Sequence, residues 1–429
     1  MDEQMTRKGN LKLYAVYKMF SWDLLFYYAI SFLFLTQTKH LSVPSILLAD
    51  AFYPLFKIFF QLICIALADH IGKRKALLLG NLCVSAAILI LILGHGFPAL
   101  LISNFVLAMG FVLKEMCEPT LLDASIPEAQ SKADIFTKID GKGSTYHYYL
   151  DAVSSVSTGF LFVINGYLPM IFCFIFCLIS TLISYSFGDV SEPEKDSTQN
   201  LSGIKALKEY FIDLKHSFKY IFRSSRLKCL LMFSALFYAF LSLYPTFRGN
   251  ILTDLSVREQ YFGIIVAIGQ IISGIATKKN AWFHKTFKNR ALTWFAFPFS
   301  LSMLFVGLAV VCHLHIYLIF ATIAIMVIII SIVKGPYGTL IKRYFNSFSN
   351  PTISTKIYAA KSIVESFVRI LIFLFASFIL SITTISYALI IFGVILTLAF
   401  LFLLDYMKTR VGLKPEEYDK KDIDFTLLK

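Results

Sequence analysis

Charged side chains are scarce in this sequence, and their scarcity argues against a soluble globular protein. Asp, Glu, Lys and Arg together make up 16% of its 429 residues, whereas about 25% is usual in soluble domains. The seven cysteines follow no spacing typical of a zinc site or a disulfide framework. Most lie among apolar residues, where a free thiol packs as a small hydrophobic group. We therefore expect no structural metal, no disulfide scaffold and no bound cofactor.

The chain is instead rich in long apolar segments. Hydrophobic residues make up 57% of it and gather in runs of about 20, the length at which a helix crosses a bilayer core. Backbone groups in that core must bond to one another, so each run should be a helix. The predicted fold class is an all-α membrane protein with twelve transmembrane helices. They are expected near residues 13–35, 43–68, 76–94, 98–117, 145–165, 168–187, 229–249, 260–277, 291–312, 315–333, 357–380 and 383–404.

Positive charge follows the expected topology. The formal net charge is +13, and most of the 40 Lys and Arg residues fall on one side of the membrane if twelve helices alternate. The opposite loops hold little beyond Lys39, Arg248 and Arg258. Because cytoplasmic loops carry the excess of Lys and Arg, we place both termini in the cytoplasm. The basic balance then needs no nucleic-acid partner, and the expected partner is the lipid bilayer.

A polar stretch in the middle of the chain divides the apolar segments into two sets of six. We predict an N-terminal bundle at residues 1–189, a cytoplasmic linker at 190–228, a C-terminal bundle at 229–407 and a cytoplasmic tail at 408–429. Within the linker, apolar residues recur at helical spacing. They are Ile204, Leu207, Phe211, Leu214, Phe218 and Ile221. An amphipathic helix is therefore predicted there, lying either on the inner leaflet or under the bundles.

Motifs for nucleotide or acyl-transfer chemistry are absent. Residues 140–144 place glycines beside a lysine, but the full phosphate-loop pattern is missing and no predicted strand precedes it. We interpret these residues as a turn ahead of the fifth helix. No histidine falls at the predicted middle of the membrane, which argues against a histidine proton relay and against an intramembrane acyltransferase. The chain is therefore not expected to be an enzyme.

Ionisable residues inside the predicted spans are costly in a bilayer and usually face a polar cavity or a partner. We predict that they line a substrate or coupling cavity, with structural ion pairing as the alternative for any single residue. Asp23, Lys57 and Arg369 should lie near mid-membrane, and aromatic rings near Asp23 could stack on a solute. Spacing of four residues also lets several of them pair along one helix face. The complete set is Asp23, Lys57, Lys114, Glu118, Asp151, Lys334, Glu365 and Arg369.

The loop between the second and third predicted helices carries a family signature. It reads Ala-Leu-Ala-Asp-His-Ile-Gly-Lys-Arg-Lys at residues 66–75 and resembles the G-x-L-a-D-r-x-G-R-[RK]-x loop of the major facilitator superfamily (MFS) of transporters, with Ala66 in place of the first glycine. The resemblance implies two pseudo-symmetric six-helix bundles that rock about a central site. It also implies a cytoplasmic gate in which Asp69 pairs with Arg74 near a helix N-terminus, while Gly72 permits the turn.

The resemblance leads to a functional prediction. We expect a monomeric secondary transporter, of bacterial type and in the plasma membrane, that moves a small polar or zwitterionic organic solute by alternating access. A proton or sodium ion is the expected coupling ion. A drug or metabolite efflux antiporter is one alternative, although the fifth helix lacks the G-P-x-x-G-G pattern of drug–proton antiporters. A transporter-like sensor that binds without transport is the other.

Overall fold

The computed structural model describes residues 3–127, 132–190, 203–287, 291–348 and 354–410. Within these residues every regular element is a helix, which confirms the all-α prediction for this part of the chain. A π-helical stretch, Phe34–Thr38, continues directly from the second helix. The α-helices are α1 (Glu3–Ser21), α2 (Ser31–Leu33), α3 (Val43–Ile71), α4 (Lys73–Leu93), α5 (Gly96–Ser125), α6 (Lys132–Ile164), α7 (Leu168–Tyr185), α8 (Gly203–Arg223), α9 (Ser225–Asp254), α10 (Glu259–Lys278), α11 (Asn280–Phe287), α12 (Ala291–Val311), α13 (Ile316–Phe348), α14 (Ser354–Ile382) and α15 (Ile385–Arg410).

Ten of these helices are long and apolar enough to cross a membrane. They are α3, α4, α5, α7, α9, α10, α12, α13, α14 and α15, and they coincide with ten of the twelve predicted segments. The chain is thus a multi-pass membrane protein. The first and fifth predicted segments are the two that have no such helix among the described residues.

The first predicted segment is broken in the middle. Helix α1 ends at Ser21, and the next helix, α2, begins only at Ser31. Phe26 between them has a φ of 65°. The prediction of one continuous helix over residues 13–35 is therefore wrong. One local cause is the Asp23 side chain, whose Oδ1 accepts a hydrogen bond of 2.9 Å from the Leu24 amide and so competes with helical bonding.

The fifth predicted segment is part of a longer helix. Helix α6 begins at Lys132, so the predicted turn at residues 140–144 is wrong. Hydroxyl groups in this polar stretch bond back to the helix itself. The Ser144 hydroxyl donates to the Asp140 carbonyl at 3.0 Å, and the Thr145 hydroxyl donates to the Gly141 carbonyl at 2.8 Å. These internal bonds satisfy the polar side chains without ending the helix.

The chain divides into two compact units. One comprises Met1–Lys208 with Val257–Ala267, and the other comprises Glu209–Ser256 with Ile268–Lys429. Helix α8 lies in the predicted linker, as expected. Residues 191–202 and 411–429, which include the start of that linker and most of the predicted tail, lie outside the described residues. The predicted domain limits at 189, 228 and 407 remain predictions.

Glycines allow close helix crossings inside each unit. In the first unit, a Cβ placed at Gly110 on α5 would lie 2.8 Å from the Gly80 carbonyl oxygen on α4. In the second unit, a Cβ at Gly393 on α15 would lie 2.8 Å from the Leu304 amide nitrogen on α12. Membrane helices commonly pack through small residues in this way, because no hydrophobic driving force acts between helices in lipid.

The core of the first unit anchors one side of α1. Tyr17 is fully buried there with Cys64 of α3, Ala76 of α4 and Cys117 of α5. The Tyr17 hydroxyl oxygen also accepts a 2.9 Å hydrogen bond from the Asn81 amide. This side of α1 is therefore fixed by apolar packing and a buried hydrogen bond.

Candidate functional site

Two basic side chains bind backbone carbonyls at the C-terminal end of α1, where the first predicted segment is interrupted. The Lys114 ammonium on α5 donates to the Ser21 carbonyl, and His147 Nδ1 on α6 lies 3.0 Å from the Met19 carbonyl oxygen. A carbonyl only accepts, so Nδ1 must carry the hydrogen. Both side chains are 4% exposed. Because the C-terminus of a helix carries partial negative charge, a buried lysine and a histidine satisfy the carbonyls that the break leaves without helical partners.

A second set of polar contacts lies one to two turns earlier on α1. The Tyr14 hydroxyl is 3.2 Å from Asp140 Oδ1 on α6 and 3.4 Å from Glu118 Oε1 on α5. The Lys18 ammonium forms an ion pair with the same Asp140 Oδ1. Together with Lys114 and His147, these residues form what we call the polar seam, a continuous line of contacts between α1, α5 and α6. Its members are Tyr14, Lys18, Lys114, Glu118, Asp140 and His147.

Gly143 provides the space for this seam. A Cβ at this position would lie 2.8 Å from Lys18 Cβ and 3.1 Å from Lys18 Cδ. The aliphatic part of Lys18 therefore lies directly on the backbone of α6, one turn from Asp140. The sequence folds locally into this arrangement because Asp140, Gly143 and His147 follow one another at helical spacing on one face of α6.

The irregular segment after α1 presents a carboxylate and aromatic rings. Asp23 is exposed and accepts from the Tyr28 hydroxyl. The Trp22 ring lies 5.2 Å from the Tyr148 ring and 5.4 Å from the His147 ring, and the Lys18 ammonium lies 5.0 Å from its centre. Trp22, Tyr28 and Tyr148 are all exposed. The first unit therefore offers a carboxylate bordered by ring faces directly beside the broken helix.

Other predicted cavity residues of the first unit have local partners. Lys57 on α3 pairs with Glu115 on α5, at 2.7 and 2.9 Å from the two carboxylate oxygens. Lys57 is thus bonded to a carboxylate on the neighbouring helix. Asp151 accepts a 3.5 Å hydrogen bond from the Ser155 hydroxyl on the same helix. Lys114 and Glu118 lie one turn apart on α5, and the hydrogen bonds of both side chains run to α1.

The predicted ionisable residues of the second unit lie mainly on α14. Lys361 and Glu365 form the ion pair that their spacing predicts, at 2.6 Å, and Glu365 is buried. The Arg369 guanidinium lies 5.0 Å from the centre of the Phe373 ring. Lys334 is exposed on α13.

The turn between α3 and α4 has the predicted glycine. Gly72 has a φ of 86° and a ψ of 151°, a conformation almost confined to glycine. Arg74 donates to Asp189 at 2.7 Å and to the Tyr185 carbonyl at 3.0 Å. The side chain of Asp69, the predicted gate partner of Arg74, lies outside the described residues. A cavity of about 240 Å³ lies beside this turn.

Sequence reasoning missed several members of the polar seam. His147 has no role in the sequence prediction and Asp140 is assigned to a turn, because the polar start of α6 reads as a loop. Tyr14 and Lys18 lay in a stretch predicted to continue as an ordinary spanning helix. The available signal was spacing, since Tyr14 and Lys18 on α1, and Asp140 and Gly143 on α6, each lie one turn apart.

Comparison with known proteins identifies the fold. No protein-family model matches the sequence, and no curated protein sequence matches it. Solved structures match along nearly the whole chain. The nucleoside transporter NupG has a TM-score of 0.70 at 13% identity, covering 95% of this chain and 100% of that one.

Two further solved structures agree with this match. A D-xylose–proton symporter has a TM-score of 0.62 at 14% identity, covering 97% of this chain and 98% of that one. A POT family transporter in complex with 5-aminolevulinic acid has a TM-score of 0.67 at 13% identity, covering 95% and 96% of the two chains. The chain therefore has the fold of the MFS transporters.

Proposed function

We propose that this chain is a secondary transporter that moves a small polar or zwitterionic organic solute by alternating access. The solved structures that share its fold along nearly its whole length are named for nucleoside, D-xylose–proton and peptide transport. The single observation that carries the proposal is the break in the first membrane segment, with Asp23 exposed beside Trp22 and Tyr28. Irregular backbone at membrane depth is tolerated where it lines a cavity, and discontinuous helices often mark solute sites in transporters.

The proposal includes the finer architecture. Helix α1, the irregular residues after it and the π-helical stretch act together as the first membrane-crossing element, and α6 acts as the fifth. With the ten apolar helices this gives twelve crossings in two pseudo-symmetric six-helix bundles. The protein acts as a monomer in a bacterial plasma membrane, with both termini in the cytoplasm, and it catalyses no covalent reaction.

The coupling ion and gate are also part of the proposal. A proton or sodium ion drives the solute, and the cavity residues are the eight predicted ionisable ones. Asp69, Gly72 and Arg74 form the cytoplasmic gate. Arg74 already binds one carboxylate, that of Asp189, which supports its role as a cation that exchanges anionic partners.

Solute-driven proton movement tests the proposal. Purified full-length protein would be reconstituted into vesicles that contain a pH-sensitive dye, and then exposed separately to nucleosides, pentoses, amino acids and dipeptides. We expect at least one class to move protons, or sodium in a parallel assay, and to raise the melting temperature of the protein in detergent. Empty vesicles and Asp23→Asn vesicles are the controls, and the variant should lose this solute response.

Each outcome separates the candidate functions. Solute flux without ion movement would retain transport and remove the coupling. A rise in melting temperature without flux would favour a sensor. No flux and no thermal response across all four classes would contradict the proposed function.

A further inference from the structure

The Tyr14 hydroxyl has one hydrogen to donate but lies within hydrogen-bond distance of two carboxylates. Its hydroxyl oxygen lies 3.4 Å from Glu118 Oε1 and 3.2 Å from Asp140 Oδ1. A phenol has a single O–H donor, and ionised carboxylates only accept. With both carboxylates ionised, one of them would face the lone pairs of the Tyr14 oxygen. One added proton completes the chain, because a protonated carboxyl can donate to Tyr14 while Tyr14 donates to the other carboxylate.

The charged neighbours decide which carboxyl holds that proton. Lys18 forms its ion pair with Asp140 Oδ1, so the Asp140 carboxylate has a bonded cation. Lys114, one turn from Glu118 on α5, instead directs its ammonium at the Ser21 carbonyl. Glu118 therefore has no cation bonded to it among the contacts described above. The titratable and charged groups that face Glu118 from the helices packed around it are Tyr14, Tyr17 and Lys18 of α1, Lys114 of α5 and Asp140 of α6.

We infer that Glu118 binds an exchangeable proton, which Tyr14 links by hydrogen bonds to Asp140. The use of this proton in transport rests on the proposed function, whereas the proton site itself does not. The proton enters Glu118 from water on one side of the membrane and returns to water on the other. Tyr14 and Asp140 stay in place: Tyr14 accepts a hydrogen bond from protonated Glu118 and donates one to the Asp140 carboxylate.

The Glu118 site is connected to the broken helix by contacts between α5 and α1. Helix α5 contacts α1 at Tyr14 through Glu118 and at Ser21 through Lys114, so the two contacts flank the last two turns of α1. Loss of the proton leaves Glu118 ionised beside the lone pairs of Tyr14 and weakens the first contact. The polar contacts that remain at this end of α1 are the Lys18–Asp140 ion pair and the bonds from Lys114 and His147. Proton binding at Glu118 therefore tightens the segment that leads into Asp23.

Infrared spectroscopy tests the site without any solute. Purified protein in lipid would be stepped from acid to alkaline pH, and the carbonyl band of protonated carboxylic acids followed. We expect a band that disappears with rising pH in the wild type, is missing in Glu118→Gln and is shifted in Tyr14→Phe, which loses one hydrogen bond. The matched control is Glu115→Gln, an exposed carboxylate on the same helix, which should keep the band. Persistence of the band in Glu118→Gln, or its loss only in Asp140→Asn, overturns the inference.

Hydrogen exchange tests the link to the helix. A glutamine amide can donate to Tyr14 as a protonated acid does, so Glu118→Gln should fold and imitate the proton-bound form. We expect amide protection of residues 14–22 to fall about tenfold in the wild type as Glu118 ionises, the factor for one lost hydrogen bond of this kind. Protection in Glu118→Gln should not change with pH beyond the intrinsic chemical rate. Equal pH dependence in both proteins overturns the linkage.

The transport assay separates this inference from the proposed function. With the solute class that responds in the vesicle assay above, Glu118→Gln should exchange solute across the membrane but lose accumulation driven by a pH gradient. Full pH-driven accumulation in the variant overturns the role of Glu118 in coupling and leaves the transporter proposal intact. If no class responds, the infrared and exchange results still decide the proton site.

Discussion

At the scale of single residues, three nitrogen-bearing side chains of the polar seam bind three different oxygen atoms. Lys18 neutralises Asp140, Lys114 binds the Ser21 carbonyl, and His147 binds the Met19 carbonyl. Because the three groups bind different atoms, the loss of any one removes a specific contact. Substitutions here should therefore have separable effects, and the chain provides matched controls for two of them.

Gly143→Ala should disturb the seam, whereas Gly141→Ala should not. The added methyl at 143 would lie 2.8 Å from Lys18 Cβ, and overpacking of this kind costs about 1–3 kcal/mol. At 141 nothing lies within 4 Å of the added methyl, so alanine should be neutral or gain up to about 1 kcal/mol from helix propensity. Melting curves in detergent measure both variants. Equal melting temperatures would show that Lys18 does not need this space.

Lys114→Met should destabilise the protein more than Lys57→Met. Removing Lys114 leaves the Ser21 carbonyl buried without this donor, at a cost of about 1–3 kcal/mol. Lys57 forms a partly exposed pair with Glu115, and such pairs contribute about 0–1 kcal/mol. Chemical denaturation followed by tryptophan fluorescence would compare them, since Trp22 lies beside the seam. A smaller loss for Lys114→Met than for Lys57→Met would argue against its capping role.

Some residues of the candidate site stand out in the sequence by a physical signal, and others do not. Asp23 and Lys114 stand out because charge is costly in a membrane, and Lys361 and Glu365 stand out by their spacing. Asp140 does not stand out by composition, since a polar helix end has the same composition as a loop. Which partner each charge chooses depends on the angle between helices, and spacing along one helix carries no such information.

At the scale of helices, the break after Ser21 could not be predicted from composition. Residues 22–30 contain neither proline nor glycine, the usual causes of a sharp kink, so the run reads as uninterrupted. The break is supported by contacts from α5 and α6, which supply donors to the open carbonyls. A tertiary contact of this kind overrides local helix propensity. The other ten predicted segments coincide with helices that run through without such a break.

Gly110→Ala should weaken the crossing of α4 and α5. The new methyl would lie 2.8 Å from the Gly80 carbonyl oxygen and 3.0 Å from the Val84 amide nitrogen, and backbone atoms cannot turn away as a flexible side chain can. We expect a loss of about 1–3 kcal/mol, measured as a lower melting temperature. Gly274→Ala on α10 is the control, because nothing lies within 4 Å of its added methyl. Similar stability of the two variants would contradict the close crossing.

At the scale of the whole molecule, the apolar runs predicted the fold class while the exact number of crossings depends on two helices. Helix α1 is interrupted, and α6 carries too many polar residues to qualify by composition among the described spans. The polar seam explains how both helices tolerate polar residues in a membrane, because their charged groups bind each other and α5. Whether each crosses the membrane is a question about topology, and charge asymmetry gives a definite expectation.

Cysteine labelling counts the crossings. Lys73 begins α4 and Lys208 lies in α8, so α4, α5, α6 and α7 separate them; the two positions share a side of the membrane only if α6 crosses. In a Cys312→Ser background, which removes the exposed native thiol, Lys73→Cys and Lys208→Cys should resist an impermeant maleimide in intact cells and react after permeabilisation. His315→Cys, in the poorly charged turn before α13, should react from outside. Labelling of only one of the two lysine positions would show that α6 does not cross, and labelling of both would reverse the orientation that the basic loops predict.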